Sequence, residues 1–96
     1  MNKIFKVGLI GCGHISENYF RAEKYFNNIK IIKCADINHG NAVRCAKTYK
    51  IQALTVNELL KDKEIEIVLN LTIPKAHYKV AKQALVNGKH VYSEKP

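Results

Sequence analysis

Short apolar runs alternate with helically spaced apolar sets from one end of this chain to the other. Residues 4–10 hold Ile4, Phe5, Val7, Leu9 and Ile10, a run of strand length that stops where glycines begin and reads as a buried parallel strand. Ile15, Tyr19, Ala22 and Phe26 then recur at helical spacing with Glu17, Arg21 and Lys24 between them, which predicts an amphipathic helix closed by Asn27-Asn28. Residues 30–36 supply a second strand, and residues 40–49 a short helix with Ala42, Cys45, Ala46 and Tyr49 inward. A short third strand falls at residues 51–53. Thr55-Val56-Asn57-Glu58 has capping-box spacing, flanked by Leu54 and Leu59 as a hydrophobic staple, and starts a helix that ends near Lys63. Residues 66–71 give a fourth strand. Pro74 opens a helix whose buried face is Val80, Ala81, Ala84 and Leu85, and Asn87-Gly88 stops it. Residues 90–93 make the fifth strand. The resulting βαβαβαβαβ order predicts right-handed crossovers and a three-layer α/β domain built on a parallel sheet.

The junction of the first strand and helix carries the chemistry. Gly11-Cys12-Gly13-His14-Ile15-Ser16 follows a strand and opens a helix, and Asp36 stands twenty positions beyond Ser16 at the end of the second strand. This is the Rossmann-type arrangement for a dinucleotide: Gly11 permits the tight turn, Gly13 lets the backbone approach the pyrophosphate, and the third position controls helix-to-strand packing. Ser16 replaces the usual Gly or Ala there and is small enough to preserve close packing. The phosphates would be held by unsatisfied N–H groups around Gly13, His14 and Ile15 at the positive end of the helix. Asp36 can accept from both adenosine-ribose hydroxyls, whereas a 2′-phosphate would meet like charge. Because Ile37-Asn38-His39 offers no Arg, NAD is favoured over NADP. No Gly-Lys-Ser/Thr follows the glycines, which disfavours a Walker loop.

With 96 residues the chain can make one small domain that removes only about 60–65% of its unfolded surface, so a partner domain or subunit is expected. It stops at Glu94-Lys95-Pro96 directly after an apolar run, and is read as a Rossmann-type domain truncated after the fifth strand, the front of a longer enzyme. The charge of +8 comes from fourteen Lys and two Arg scattered along the chain rather than set in one stripe with aromatics, so no nucleic-acid partner is expected. Cys12, Cys34 and Cys45 are an odd number without a C-x-x-C pair, which suggests neither a disulfide scaffold nor a cysteine zinc cluster; His14 has no ligand cluster beside it, and no metal is expected. Reduced cysteines, no signal peptide and no apolar stretch near the ~20 residues of a membrane span lead to the expectation of a cytoplasmic protein with no membrane partner.

Two further segments close strands on the ligand-binding edge: Leu69-Asn70-Leu71-Thr72-Ile73-Pro74-Lys75-Ala76-His77 and Gly88-Lys89-His90-Val91-Tyr92-Ser93-Glu94-Lys95-Pro96. With the Gly11-x-Gly13 loop, they make the chain resemble the oxidoreductase family of glucose-fructose oxidoreductases, inositol dehydrogenases and related sugar or sugar-nucleotide dehydrogenases. The resemblance runs across essentially the whole chain, and the Glu94-Lys95-Pro96 triplet is its most specific marker. It implies an NAD-binding Rossmann domain over residues 1–96, with a substrate-binding α/β domain absent from this chain. It implies also that Lys95 assists hydride transfer beside the nicotinamide and the substrate hydroxyl, that Glu94 contacts the nicotinamide-ribose side, that Thr72, Ile73 and Pro74 line the cofactor cleft, and that His77 shapes it. Many relatives place Pro directly after the Thr, where this chain has Ile73. A paired Asp and His from the second domain would complete the catalytic set, so residues 1–96 alone are expected to be inactive. The expectation is thus the dinucleotide-binding part of an oxidoreductase acting on a sugar, sugar-nucleotide or polyol, with homo-oligomers compatible with the family. A non-catalytic NAD-binding or sensing module is the alternative.

Overall fold

The computed structural model describes residues 3–93, which form nine elements in strict alternation. They are β1 (Phe5–Ile10), α1 (Ser16–Glu23), β2 (Ile29–Ala35), α2 (His39–Tyr49), β3 (Gln52–Ala53), α3 (Val56–Lys61), β4 (Ile67–Asn70), α4 (Pro74–Val86) and β5 (His90–Ser93). The strands make one five-stranded sheet in the order β3-β2-β1-β4-β5, and every pairing is parallel. The chain moves outward from β1 on one side and restarts on the other, so the loops after β1 and β4 diverge and leave a crevice at the strands' C-terminal ends.

Strand alternation builds a core on each face of the sheet. Leu9, Cys34 and Leu69 face Phe20 of α1 and Ala42 and Cys45 of α2, while Ile10, Ala35 and Val68 face Leu59 and Leu60 of α3 and Val80 and Ala84 of α4. Stacked rings of Phe20 and Tyr49, 3.9 Å between centroids, join α1 to α2. On the other face, a Cβ at position 8 would lie 2.7 Å from the Leu59 side chain, so Gly8 is what lets α3 sit against the central strand. The capping box holds as read: Thr55 Oγ1 accepts from Glu58 N at 3.1 Å, and Glu58 Oε1 accepts from Thr55 N at 2.8 Å. Among the described residues, no helix is long and apolar enough to cross a membrane.

Two helix faces differ from the periodicity reading. α1 ends at Glu23, and the chain leaves it through tight turns in which Tyr25 N donates to Ala22 O and Phe26 N to Glu23 O. Phe26 lines an open apolar groove with Tyr19 and Ala22 over Val7, Ile31 and Leu69 and is 54% exposed, and the buried residues of α1 are Ser16 and Phe20. Leu85 of α4 is likewise exposed, and Val80 and Ala84 alone are buried on that helix.

A polar cluster secures the end of α3. Lys33 Nζ donates to Asp62 Oδ2 at 2.5 Å and lies 2.9 Å from Glu64 Oε1, and Lys89 Nζ, on a buried side chain, donates to Asp62 O. The hydrogen bond from Lys33 is the main reason the Asp62 carboxyl is held below the ordinary aspartate range. A carboxyl depressed in the folded state stabilises it above the unfolded pKa of about 4 and loses that contribution as pH falls through the folded value. Asp62→Asn is therefore expected to lower stability at neutral pH by about 1–2 kcal/mol, Lys33 keeping Glu64, and the deficit is expected to be smaller at about pH 3 than at about pH 7. Urea unfolding at the two pH values measures this; an equal deficit at both would contradict it.

Candidate functional site

The loop joining β1 to α1 is shaped by what passes beneath it. Gly11 has φ +106°, and a Cβ there would lie 2.6 Å from the carbonyl carbon and oxygen of Leu71 and 2.9 Å from Thr72 N. Only glycine satisfies both the backbone conformation and this approach of the β4–α4 loop. At Gly13 a Cβ would meet nothing within 4 Å, so this stretch of backbone faces open space. Ser16 is buried and its hydroxyl donates to Gly13 O at 2.6 Å, so the third fingerprint position both packs and ties down the loop.

α1 begins without a side-chain cap at Ile15. The carbonyls of Gly13, His14 and Ile15 accept from Ser16, Glu17 and Asn18, while the three residues' own N–H groups have no partner among the described residues. His14 and Ile15 are exposed. Unpaired donors at the positive end of a helix, next to a backbone with clear space above it, make a seat for an anion.

Asp36 is fixed against this loop. One carboxylate oxygen accepts from Cys12 N at 2.7 Å and the other from Asn38 N at 2.8 Å, which leaves each oxygen further acceptor capacity at the half-buried end of β2. The acid therefore sets the loop conformation as well as the charge of the crevice. The anchoring by Cys12 N could not be read from the spacing of the motif.

Across the crevice the organising residue is Asn70, completely buried at the end of β4. Its Oδ1 accepts from Thr72 N at 3.2 Å and Thr72 Oγ1 at 2.6 Å, and its Nδ2 donates to His77 O at 2.9 Å. Asn70 thereby holds Thr72 and the first turn of α4 in register. Sequence reasoning placed Asn70 in this segment without giving it a task, although a polar residue ending an apolar strand is a usable signal. Pro74 occupies the first turn of α4, Ile73 before it is exposed, and His77 is half-buried with Nε2 enclosed and unpartnered among the described residues. Glu94, Lys95 and Pro96 lie outside the described residues.

The sequence suggests no cysteine cluster, and the fold assembles one. All three are free and buried, and their sulfurs lie within 4.8 Å of one another. Cys12 Sγ donates to Ala35 O and Cys34 Sγ to Ala42 O, each at 3.4 Å. Contacts from Cys12 and then Cys34 pull Cys45 below the ordinary thiol range, whereas Cys12 is pushed up by Cys34, Cys45 and burial.

A family model described as "Oxidoreductase family, NAD-binding Rossmann fold" matches residues 5–96. Inositol 2-dehydrogenase of Salmonella typhimurium is 32% identical over 95 residues, covering 95% of this chain and 28% of that protein. Glucose-6-phosphate 3-dehydrogenase of Bacillus subtilis is 35% identical over 92 residues, covering 95% and 26%. Among solved structures, myo-inositol dehydrogenase from Lactobacillus casei in complex with NAD(H) and myo-inositol gives a TM-score of 0.87 at 25% identity over 97% of this chain and 29% of that one. Biliverdin reductase from Synechocystis with biliverdin and NADP+ gives 0.85 at 27% identity over 95% and 29%. The chain thus spans 26–29% of these relatives' lengths. With the model match covering nearly every residue, the chain belongs to the oxidoreductase family with an NAD-binding Rossmann fold.

Proposed function

We propose that this chain is the cofactor-binding part of an oxidoreductase that moves hydride between NAD and a hydroxyl carbon of a polyol or sugar. The observation that carries the reading is the joint arrangement of three unpartnered N–H groups, at Gly13, His14 and Ile15, with Asp36 anchored to the same loop through Cys12 N. These residues fit the cofactor: the open space over Gly13 admits a pyrophosphate, the amides bind it, and the free lone pairs of Asp36 suit ribose hydroxyls. Gly11 keeps the loop close to Leu71 and Thr72, which supports assigning Thr72, Pro74 and His77 of the β4–α4 segment to the cofactor cleft.

NAD is preferred over NADP on the electrostatics of Asp36. Ile37, Asn38 and His39 follow it, and none brings the guanidinium that a 2′-phosphate needs beside a carboxylate. NAD(H) and NADP+ each occur among the solved relatives, so the choice rests on this chain's own residues.

The chemistry the cofactor supplies when bound is hydride acceptance or donation. Lys95 is assigned to the reacting hydroxyl, where an ammonium can stabilise developing negative charge or a neutral amine can take the proton, and Glu94 to the nicotinamide-ribose side. The substrate-binding domain lies outside residues 1–96, in keeping with the share of the relatives that this chain covers. Turnover of NAD with cyclic polyols and sugar phosphates by the intact polypeptide tests this. Lys95→Ala is expected to reduce kcat by about 100-fold or more while dinucleotide binding persists, and undiminished turnover would reject the assignment.

A further inference from the structure

We propose that Cys12, Cys34 and Cys45 form a three-thiolate site for a soft, thiophilic d10 cation of the Cu(I) type. The residues come from three elements: Cys12 from the turn after β1, Cys34 from β2 and Cys45 from the middle of α2. Their sulfurs lie within 4.8 Å of one another. An ion at the centre of such a triangle sits at most about 2.8 Å from each sulfur, so metal–sulfur bonds of about 2.3 Å need an inward shift of about 0.5 Å or less per sulfur.

The donor set selects the cation. Among the described residues the cluster offers three sulfurs and no imidazole or carboxylate oxygen within the same reach. Structural zinc takes four ligands, whereas soft thiolates select Cu(I), whose d10 shell accepts three-coordination. Each copper–sulfur bond forms as one thiol proton leaves for solvent, and no electron is transferred. The carbonyl that Cys12 gives up, Ala35 O, keeps the N–H of Gly11 at 2.9 Å, so that exchange leaves no orphaned acceptor.

An entry path exists. Cys12 and Cys45 line a cavity of about 280 Å³ between α1 and α2, with Asn41, Arg44 and Thr48 along the α2 side. Arg44 lines this cavity, and Asp36 opposes the negative charge of a thiolate complex. The bound cation would fasten β1, β2 and α2 together directly beneath the loop that carries Gly13. A small α/β domain gains stability from such a staple in the way mini-proteins gain it from structural metals.

The test is anaerobic titration of the protein with Cu(I) against a competing Cu(I) chelator. The expected result is one equivalent bound, an ultraviolet thiolate-to-copper charge-transfer band, a rise in Tm, and three sulfurs at about 2.3 Å by X-ray absorption. Cys45→Ala, with its fold checked by circular dichroism, is expected to weaken binding by more than about 100-fold, beyond the effect of losing an outer-shell partner. No bound copper, a shell of fewer than three sulfurs, or unchanged affinity in the folded variant would overturn the site. If Cys45→Ala does not fold, the sulfur count in the wild-type protein decides.

Discussion

Gly11→Ala is expected to cost about 2–6 kcal/mol and to abolish dinucleotide binding. Two penalties combine. An L-residue at φ +106° stores about 1–3 kcal/mol of backbone strain. The added methyl meets main-chain atoms of Leu71 at 2.6 Å, which cannot rotate away as a side chain could, and overpacking of this kind costs about 1–3 kcal/mol more. Relief requires parting the β1–α1 loop from the β4–α4 loop, which opens the crevice itself. Stability of a chain this size is about 5–14 kcal/mol, so a large fraction is removed. Urea unfolding with parallel NAD titration measures both effects; a variant within about 1 kcal/mol of the wild type would show that the loop approach is dispensable.

Asn70→Ala is the second large effect, expected at about 3–5 kcal/mol. The side chain is fully buried and takes part in three hydrogen bonds, to Thr72 N, Thr72 Oγ1 and His77 O. Each net bond contributes about 1 kcal/mol, and a donor left without a partner in the interior adds its desolvation cost. Because the bonds bridge the end of β4 to the first turn of α4, the loss is local. Hydrogen exchange at Thr72 is expected to accelerate more than at Leu69 within the sheet. Acceleration spread evenly over β4 would contradict the assignment of Asn70 to this loop.

The alternation of elements was legible because each boundary is written locally. Thr55 and Glu58 form the capping box at their expected positions, Pro74 starts α4, and the fifth strand covers residues 90–93 as read. The glycine loop and Asp36 were likewise readable, since a strand, a turn and a helix N-terminus occur in sequence order. What escaped was whatever depends on contacts between distant segments. Phe26 keeps helical spacing with Ala22 and lines the same apolar groove over Val7, Ile31 and Leu69, yet that groove is open and the ring stays exposed. Lys89 reads as one more surface lysine, but it is buried with its ammonium on Asp62 O. Asn70 looks like the polar end of a strand until α4 folds back over it. The three cysteines are separated by 22 and 11 positions, and only the β1–β2 pairing and the docking of α2 bring their sulfurs together.

The central claim is that Asp36 and the amides of the Gly13 turn select NAD. Calorimetric titration with NAD and NADP at fixed moderate salt, on the wild type and Asp36→Asn, addresses it directly. Asparagine keeps one of the two side-chain acceptors, enough to hold Cys12 N, and removes the charge that faces the 2′ position. The account predicts that the wild type binds NAD at least about tenfold more tightly than NADP, a difference of about 1.4 kcal/mol, and that the gap narrows in the variant. Saturable NADP binding as tight as NAD in the wild type, or a gap untouched by Asp36→Asn, would contradict it.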